Sequence, residues 1–314
     1  MAPSVLWSFI PLSHWQKLHV LSAYISKPSV CLIGTTPHRR QKENMKLKEV
    51  FYGLGLKPRT REYSYEIESL SLSKDGLVQI ASWEHPKARP WNLTQAAVDA
   101  LRGFLKPGDV AIDIGAHTGD TTVPMALAVG PTGMVFALEP NRYVFKVLLA
   151  NSALNRKQTN IYPLNFAATP VDGNLEFQYS DPGFCNGGLH EGISSWQHSH
   201  FFKLSVVGRN LYDFLQAEFQ AELSRIRYIK IDTEGFDRSV ATSLRKLLIT
   251  NRPFLRSEIY KHLSAELRVG YYDELREIGY TIHKFNGPED YCGQRLGRHD
   301  MARWPHFDVF AVPE

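Results

Sequence analysis

Cysteine is scarce in this chain, and long apolar runs are absent. Cys31, Cys185 and Cys292 are odd in number and far apart, so they supply neither a disulfide framework nor the paired spacing of a zinc site. That usage fits a reducing compartment, and the cytoplasm is the expected location. Ser, His, Lys and Pro interrupt every apolar run before it approaches the roughly 18 residues a membrane helix requires. No span is therefore expected. The first residues lack a basic region followed by an apolar core and a small-residue cleavage site, so they do not read as a secretory signal. An excess of one charge is lacking too. The 36 basic and 32 acidic residues leave a net +4, too little to demand a nucleic-acid or lipid surface as partner. No internal repeat is evident.

What is present is the composition of an ordinary globular protein, 43% hydrophobic and 22% charged over 314 residues, enough for one sizeable core. Residues 1–44 stand apart: they carry Lys17, Lys27, Arg39, Arg40 and Lys42 against a single acid, Glu43. Such a segment is either an organellar transit peptide or an extension ahead of a folded protein that opens at Met45. Residues 45–91 are expected to form a cover. Within it, Lys74-Asp75-Gly76 separates two alternating runs, a hairpin signal.

The main domain is expected over 92–314. Asn92 or Thr94 can cap a helix through Leu105, whose apolar positions recur at helical spacing before Lys106-Pro107-Gly108 stops it. Strand and helix patterns then alternate. Val110 to Ile114, Met134 to Leu138 and Ile161 to Ala168 read as strands, with helices after Thr121 and from Tyr143 to Asn155. Leu175 to Tyr179 reads as a further strand, the stretch to about His200 as an irregular loop, and Leu211 to Leu223 as a helix. Tyr228 to Asp232 and Pro253 to Ile259 continue the sheet, and a helix from Ala265 to Ile278 precedes two apolar runs, Tyr280 to Phe285 and Phe307 to Val312. This alternation predicts a doubly wound, mostly parallel α/β sheet with right-handed crossovers, closed by a C-terminal antiparallel strand pair.

In such a sheet, ligands bind beyond the carboxyl ends of the strands. The first strand runs into Asp113-Ile-Gly115-Ala-His117-Thr118-Gly119, a turn whose glycines permit close approach of the backbone and whose following helix offers free amides. A structural strand-to-helix turn has the same look. Two features favour a nucleoside ligand without phosphate. Asp113 would repel a pyrophosphate, and the glycine spacing departs from Gly-x-Gly-x-x-Gly. S-adenosylmethionine, which carries an ammonium and no phosphate, meets both conditions. Glu139, at the end of the second strand and followed by Pro140, is placed to accept the ribose hydroxyl protons. Asn165 and Ala167, ending the third, are candidates for the adenine edge.

The chain resembles the FkbM-type methyltransferase family from about Asp109 to Phe285. The carriers are Val110-Ala-Ile-Asp113-Ile-Gly-Ala-His-Thr-Gly119, Ala137-Leu-Glu139-Pro-Asn141, Asn151-Ser-Ala-Leu-Asn155 and Ile229-Lys-Ile-Asp232-Thr-Glu234-Gly235. His117 and Thr118 fall where such turns vary, and Thr233 stands where the family often has valine. The resemblance implies the class I methyltransferase fold, a Rossmann-like arrangement, with S-adenosylmethionine as cofactor. It also implies methyl transfer, commonly to an oxygen of a sugar, polyketide or other small natural product, so a small-molecule or glycan acceptor is the expected partner.

Methyl transfer to a hydroxyl is an in-line displacement assisted by a base. Asp232 and Glu234, beyond the fourth strand, are the leading candidates, against a bland alternative in which Asp232 caps backbone amides near Gly235. His262, in Glu258-Ile-Tyr260-Lys261-His262 after the fifth strand, is a further candidate base or an ordinary surface histidine. No compact metal motif is present, and no metal is assigned. The glycine- and histidine-bearing stretch from Phe184 through Gly192, extended by Trp196, His198 and His200, suits a lid or a variable surface loop. A nicotinamide-dependent oxidoreductase and a noncatalytic cofactor-binding module are the competing classes.

Overall fold

The structure is a computed structural model that describes residues 58–185, 187–188 and 202–314. The basic segment 1–44 and most of the expected lid, Trp196, His198 and His200 included, lie outside the described residues. Among the described residues no helix is long and apolar enough to cross a membrane.

β1 (Tyr65–Leu72) and β2 (Gly76–Trp83) form the expected hairpin. Helix α1 (Gln95–Arg102) follows, with Thr94 as its cap, the hydroxyl accepting from the Ala97 amide at 3.1 Å. β3 (Val110–Ile114), α2 (Thr122–Val129), β4 (Met134–Leu138), α3 (Arg142–Ala153) and β5 (Ile161–Leu164) then alternate as strand and helix. β10 (Ile226–Ile231), β11 (Phe254–Ile259), β12 (Tyr280–Lys284) and β13 (Phe307–Pro313) complete a sheet in the order β12-β13-β11-β10-β3-β4-β5. All neighbours are parallel except around β13, which runs antiparallel to both β11 and β12. The last strand is thus inserted between its two predecessors.

Every residue of β3 is buried, as a central strand covered on both faces must be. Val110, Ile112 and Ile114 join one core layer, and Ala111 joins the other with the apolar faces of α1 and α2. Because side chains alternate along a strand, Asp113 points to the α2 side with Ala111. The layer on the other face is completed by α4 (Leu211–Glu218) and, beyond a short α5 (Gln220–Leu223), by α6 (Asp237–Ser243), α7 (Arg245–Asn251) and α8 (Ala265–Glu277).

Two sequence expectations change. The run from Ile161 to Ala168 is two strands, because the chain leaves the main sheet after Leu164 and re-enters a second, four-stranded sheet as β6 (Ala167–Ala168). That sheet also holds β7 (Gly173–Tyr179), β8 (Gly187–Gly188) and β9 (Phe202–Arg209), the last unforeseen in sequence although it alternates buried and exposed along its length. The single helix expected over 211–223 is interrupted at Phe219, which leaves helical geometry at φ −138°.

The hairpin is docked through asparagines. Asn151 accepts from the Ala81 amide at 2.6 Å and donates to its carbonyl at 3.0 Å, while Asn155 does the same to Gln79 at 2.9 and 2.7 Å. Asn151 in the last turn of α3 and Asn155 just past its end, left-handed at φ 56°, thereby match alternate residues of β2, whose edge is paired by side-chain amides in place of another strand.

Candidate active site

The strand order reverses between β3, which leads outward through β4, and β10, which leads the other way through β11. A cleft of about 600 Å³, partly open to solvent, lies at the carboxyl ends of these strands, at the switch point where open α/β sheets bind ligands. Ile114 and Gly115 supply one wall, Leu138, Glu139 and Pro140 the next, and Asp232, Thr233 and Glu234 the third. The fourth comes from the second sheet, through Ala167, Leu175, Phe177 and Tyr179. The sequence reading assigned β7 no part in the site.

Gly115 and Asp232 bring β3 and β10 together. The Gly115 φ is +78°, and a Cβ there would lie 2.0 Å from the Asp232 carbonyl oxygen, so only glycine fits. His117, also left-handed at φ 49°, aims its amide at Glu139 Oε2 at 3.0 Å, and the Asn141 amide donates to Oε1 at 2.8 Å. Each carboxylate oxygen keeps a further lone pair for a ligand. Burial pushes the Glu139 carboxyl up to about 7 against the pull of those two amides and of Lys230. Burial also lowers the His117 imidazole.

Beneath the cleft, Asp113 is fully buried. Its Oδ2 accepts from the hydroxyls of Thr121 and Thr122, both at 2.7 Å, and Oδ1 lies 3.1 Å from Lys230 Nζ. It is therefore part of the foundation of the turn and not of the lining. Thr118 gives its carbonyl to Asn151 at 2.8 Å, and Gly119 packs against Leu148. Neither they nor His117 line the cleft. Asn165 donates to the Glu139 carbonyl at 2.8 Å, bracing that residue's backbone, whereas Ala167 does line the cleft.

Asp232 does not cap the turn that follows it. Asp237 takes that role, accepting from the Thr233 hydroxyl and amide at 2.6 and 3.1 Å and from the Glu258 amide at 2.9 Å. The threonine at 233 thus gains a bond that valine could not make. Asp232 is left to face the cleft with its side chain 40% exposed, 3.5 Å from Lys230 Nζ. Burial would raise the Asp232 carboxyl, but Lys230 and, behind it, Arg256 together hold it below the usual carboxylate range. Glu234, left-handed at φ 57°, has the opposite fate: burial and neighbouring Asp232 push its carboxyl up. Burial raises Asp237 to about 6 and Glu258, beside these acids, to about 10. Negative charge in this region therefore concentrates on Asp232. His262 is exposed, edge-on to Tyr260 with ring centres 5.3 Å apart, and the structure does not bring it to the cleft lining.

Lys230 is the residue that sequence reasoning missed. It is 2% exposed and also donates to the Gly115 carbonyl at 3.0 Å. Burial opposes its charge, and Asp113 and Asp232 more than restore it, holding the ammonium above the ordinary lysine range. Among the described residues no group of three or more His, Cys, Asp or Glu side chains could hold a metal ion.

The sheet order, the switch-point cleft and the acid after β4 define a class I, S-adenosylmethionine-dependent methyltransferase. The methyltransferase FkbM domain model matches residues 113–282, more than half of the chain, and the chain belongs to that family. Among solved structures it is similar to the FkbM methyltransferase of Methylobacillus flagellatus KT, at 16% identity and a TM-score of 0.39, over 66% of this chain and 44% of that one. It is also similar to the precorrin-6y C5,15-methyltransferase of Geobacter metallireducens GS-15, at 14% identity and a TM-score of 0.38, over 74% and 95% of the two chains. Aeropyrum pernix fibrillarin, solved with natively bound S-adenosylmethionine, matches at 14% identity and a TM-score of 0.38, over 81% and 99%. No curated protein matches the sequence.

Proposed function

We propose that this methyltransferase O-methylates a hydroxyl of a sugar or other small natural product. The observation that carries the site assignment is the charge of the cleft: Glu139, Asp232 and Glu234 line it, and no lysine, arginine or histidine does among the described residues. Such a lining suits a ligand bearing a sulfonium and an ammonium and opposes a pyrophosphate, which speaks against a nicotinamide dinucleotide. The donor set fits S-adenosylmethionine in chemistry as well. Glu139 would hold the ribose hydroxyls, Asp232 the ammonium, and the apolar wall formed by Leu138, Pro140 and Ala167 the adenine. Gly115, His117, Thr118 and Gly119 would shape the turn that receives it, with Asp113 and Asn165 supporting from behind.

When bound, S-adenosylmethionine supplies an electrophilic methyl group on a sulfonium that leaves as a neutral thioether. The part of the chain is to orient an acceptor oxygen in line with the methyl and to accept the hydroxyl proton as the O–C bond forms. Glu234 is the better base of the two cleft acids, because its carboxyl is raised and that of Asp232 is lowered. His262, off the cleft lining, is a candidate base only for an acceptor that reaches it.

The deciding experiment is calorimetric titration with S-adenosylhomocysteine, first of the wild type and then of Glu139→Ala. It is followed by transfer of labelled methyl to a panel of acceptors beginning with sugar hydroxyls. Binding lost in the variant, with label on an acceptor oxygen, is expected. Label on nitrogen or carbon would refute the O-methylation reading while leaving the cofactor site intact.

A further inference from the structure

Lys230 lies outside the cleft lining, yet three parts of the site meet on it. Its Nζ is 3.0 Å from the Gly115 carbonyl, 3.1 Å from Asp113 Oδ1 and 3.5 Å from Asp232 Oδ2. Its ammonium donates to a turn carbonyl and stands as counter-ion to a buried carboxylate and to a cleft carboxylate. Asp113 and Lys230 are both buried, and within their pair the charges cancel. Asp232 is a second carboxylate on the same cation, so one negative charge remains, and it sits on the member of the trio that reaches solvent.

We infer that Lys230 is a positioning residue that fixes the Asp232 carboxylate and the Gly115 turn as one receptor for the positively charged end of the cofactor. The inference rests on the reading of the cleft as the S-adenosylmethionine site. The other charged groups around Asp232 are Arg256 on β11, His117 on the turn after β3, and the acids Glu234, Asp237 and Glu258. Arg256 is engaged by Asp308, to which it donates from Nε and Nη2 at 2.9 and 2.6 Å. Burial lowers His117 toward its neutral form. Lys230, which ion-pairs with Asp232 directly, is thus the strongest single pull on its carboxyl, with Arg256 second.

The test removes the cation together with the buried charge it neutralises, in the double variant Lys230→Met with Asp113→Asn, so that no uncompensated ion is left inside. Calorimetry with S-adenosylhomocysteine is run from pH 8 to pH 5 on wild type and variant, and the ratio of the two affinities is read at each pH. Lys230 lowers the Glu139 carboxyl and Asp113 raises it, so removing both charges together leaves the titration of Glu139 nearly alike in the two proteins, and it drops out of the ratio. The expected result is binding about tenfold weaker at pH 7, with the ratio growing by roughly a further tenfold at pH 5, as Asp232 without its partner takes up a proton. A ratio near one, or a loss that is the same at every pH, would overturn the positioning role. Absence of binding by the wild type itself would instead overturn the cofactor reading and this inference with it. Should that double variant not fold, Lys230→Gln with Asp113→Asn, in which the glutamine amide retains a donor for the Gly115 carbonyl, is read by the same ratio and the same outcomes.

Discussion

Gly115 and Asp232 touch backbone to backbone: a Cβ on the glycine would fall 2.0 Å from the aspartate's carbonyl oxygen. The Asp232 amide in turn donates to the Ile114 carbonyl at 3.0 Å. The tips of the two strands that flank the switch point are thereby fixed at a single separation. Gly115→Ala is expected to force them apart and to strain a left-handed residue, at a combined cost of about 3 kcal/mol or more. Thermal unfolding should show the loss, and S-adenosylhomocysteine binding should disappear even in the fraction that folds.

Glu139 predicts a pH dependence. Its carboxyl titrates at about 7 in the folded protein against a reference value of 4.5. The folded state therefore holds a proton there that the unfolded state has lost. Its contribution favours folding most below pH 4.5 and is lost as pH rises through about 7. A ribose held by the ionised carboxylate reverses that preference. S-adenosylhomocysteine affinity should rise by up to about tenfold per pH unit below pH 7 and flatten above it, and Glu139→Gln should abolish the slope. A slope that survives in the variant would assign the titration to another group.

Glu234→Gln separates chemistry from binding. Cofactor affinity is expected within about threefold of wild type and methyl transfer reduced by about 10²–10⁴-fold, the range for loss of a positioned base. Comparable loss of both would place Glu234 among the cofactor ligands.

Asp237→Ala tests the turn that presents Glu234. The side chain holds the Thr233 amide and hydroxyl and the Glu258 amide, so its removal should cost about 3 kcal/mol in unfolding free energy. Transfer should fall further than cofactor binding, because the group displaced is Glu234, the proposed base.

Asn151→Ala and Asn155→Ala should each loosen the hairpin by about 1–3 kcal/mol, the cost of leaving a paired edge unsatisfied. Hydrogen exchange at the Ala81 amide should accelerate in the first and at Gln79 in the second. Equal protection in wild type and variants would mean that packing alone holds the hairpin.

The parallel sheet was legible because β3, β4 and β10 are short apolar runs closed by turn residues, and the capping threonine before α1 stands at the required spacing. β9 carried its own signal, with Phe202, Leu204 and Val206 inward and Lys203 and Ser205 outward. The aperiodic residues before it masked that alternation. For Asp113, position at a strand tip says that a side chain is near the ligand but not which face it takes. Its register with Ala111 turns it toward Thr121 and Thr122 and away from the cleft. Lys230 could have been found by asking why a strand buried on both faces contains a lysine at all, since such a cation requires carboxylates close by. Which carboxylates those are depends on β10 lying beside β3, a pairing between residues more than a hundred positions apart that local pattern does not reveal.

The place of β13 between β11 and β12 has a consequence for biosynthesis. β12 has no direct pairing with β11, and its connection to the sheet runs through a strand translated more than twenty residues later. As the chain leaves the ribosome, the β3-to-β11 half can assemble in order of synthesis while β12 waits with an unpaired edge. Closure of the sheet is then a late event, and until β13 has been made the edge of β12 that it will cover stays open to proteases and chaperones.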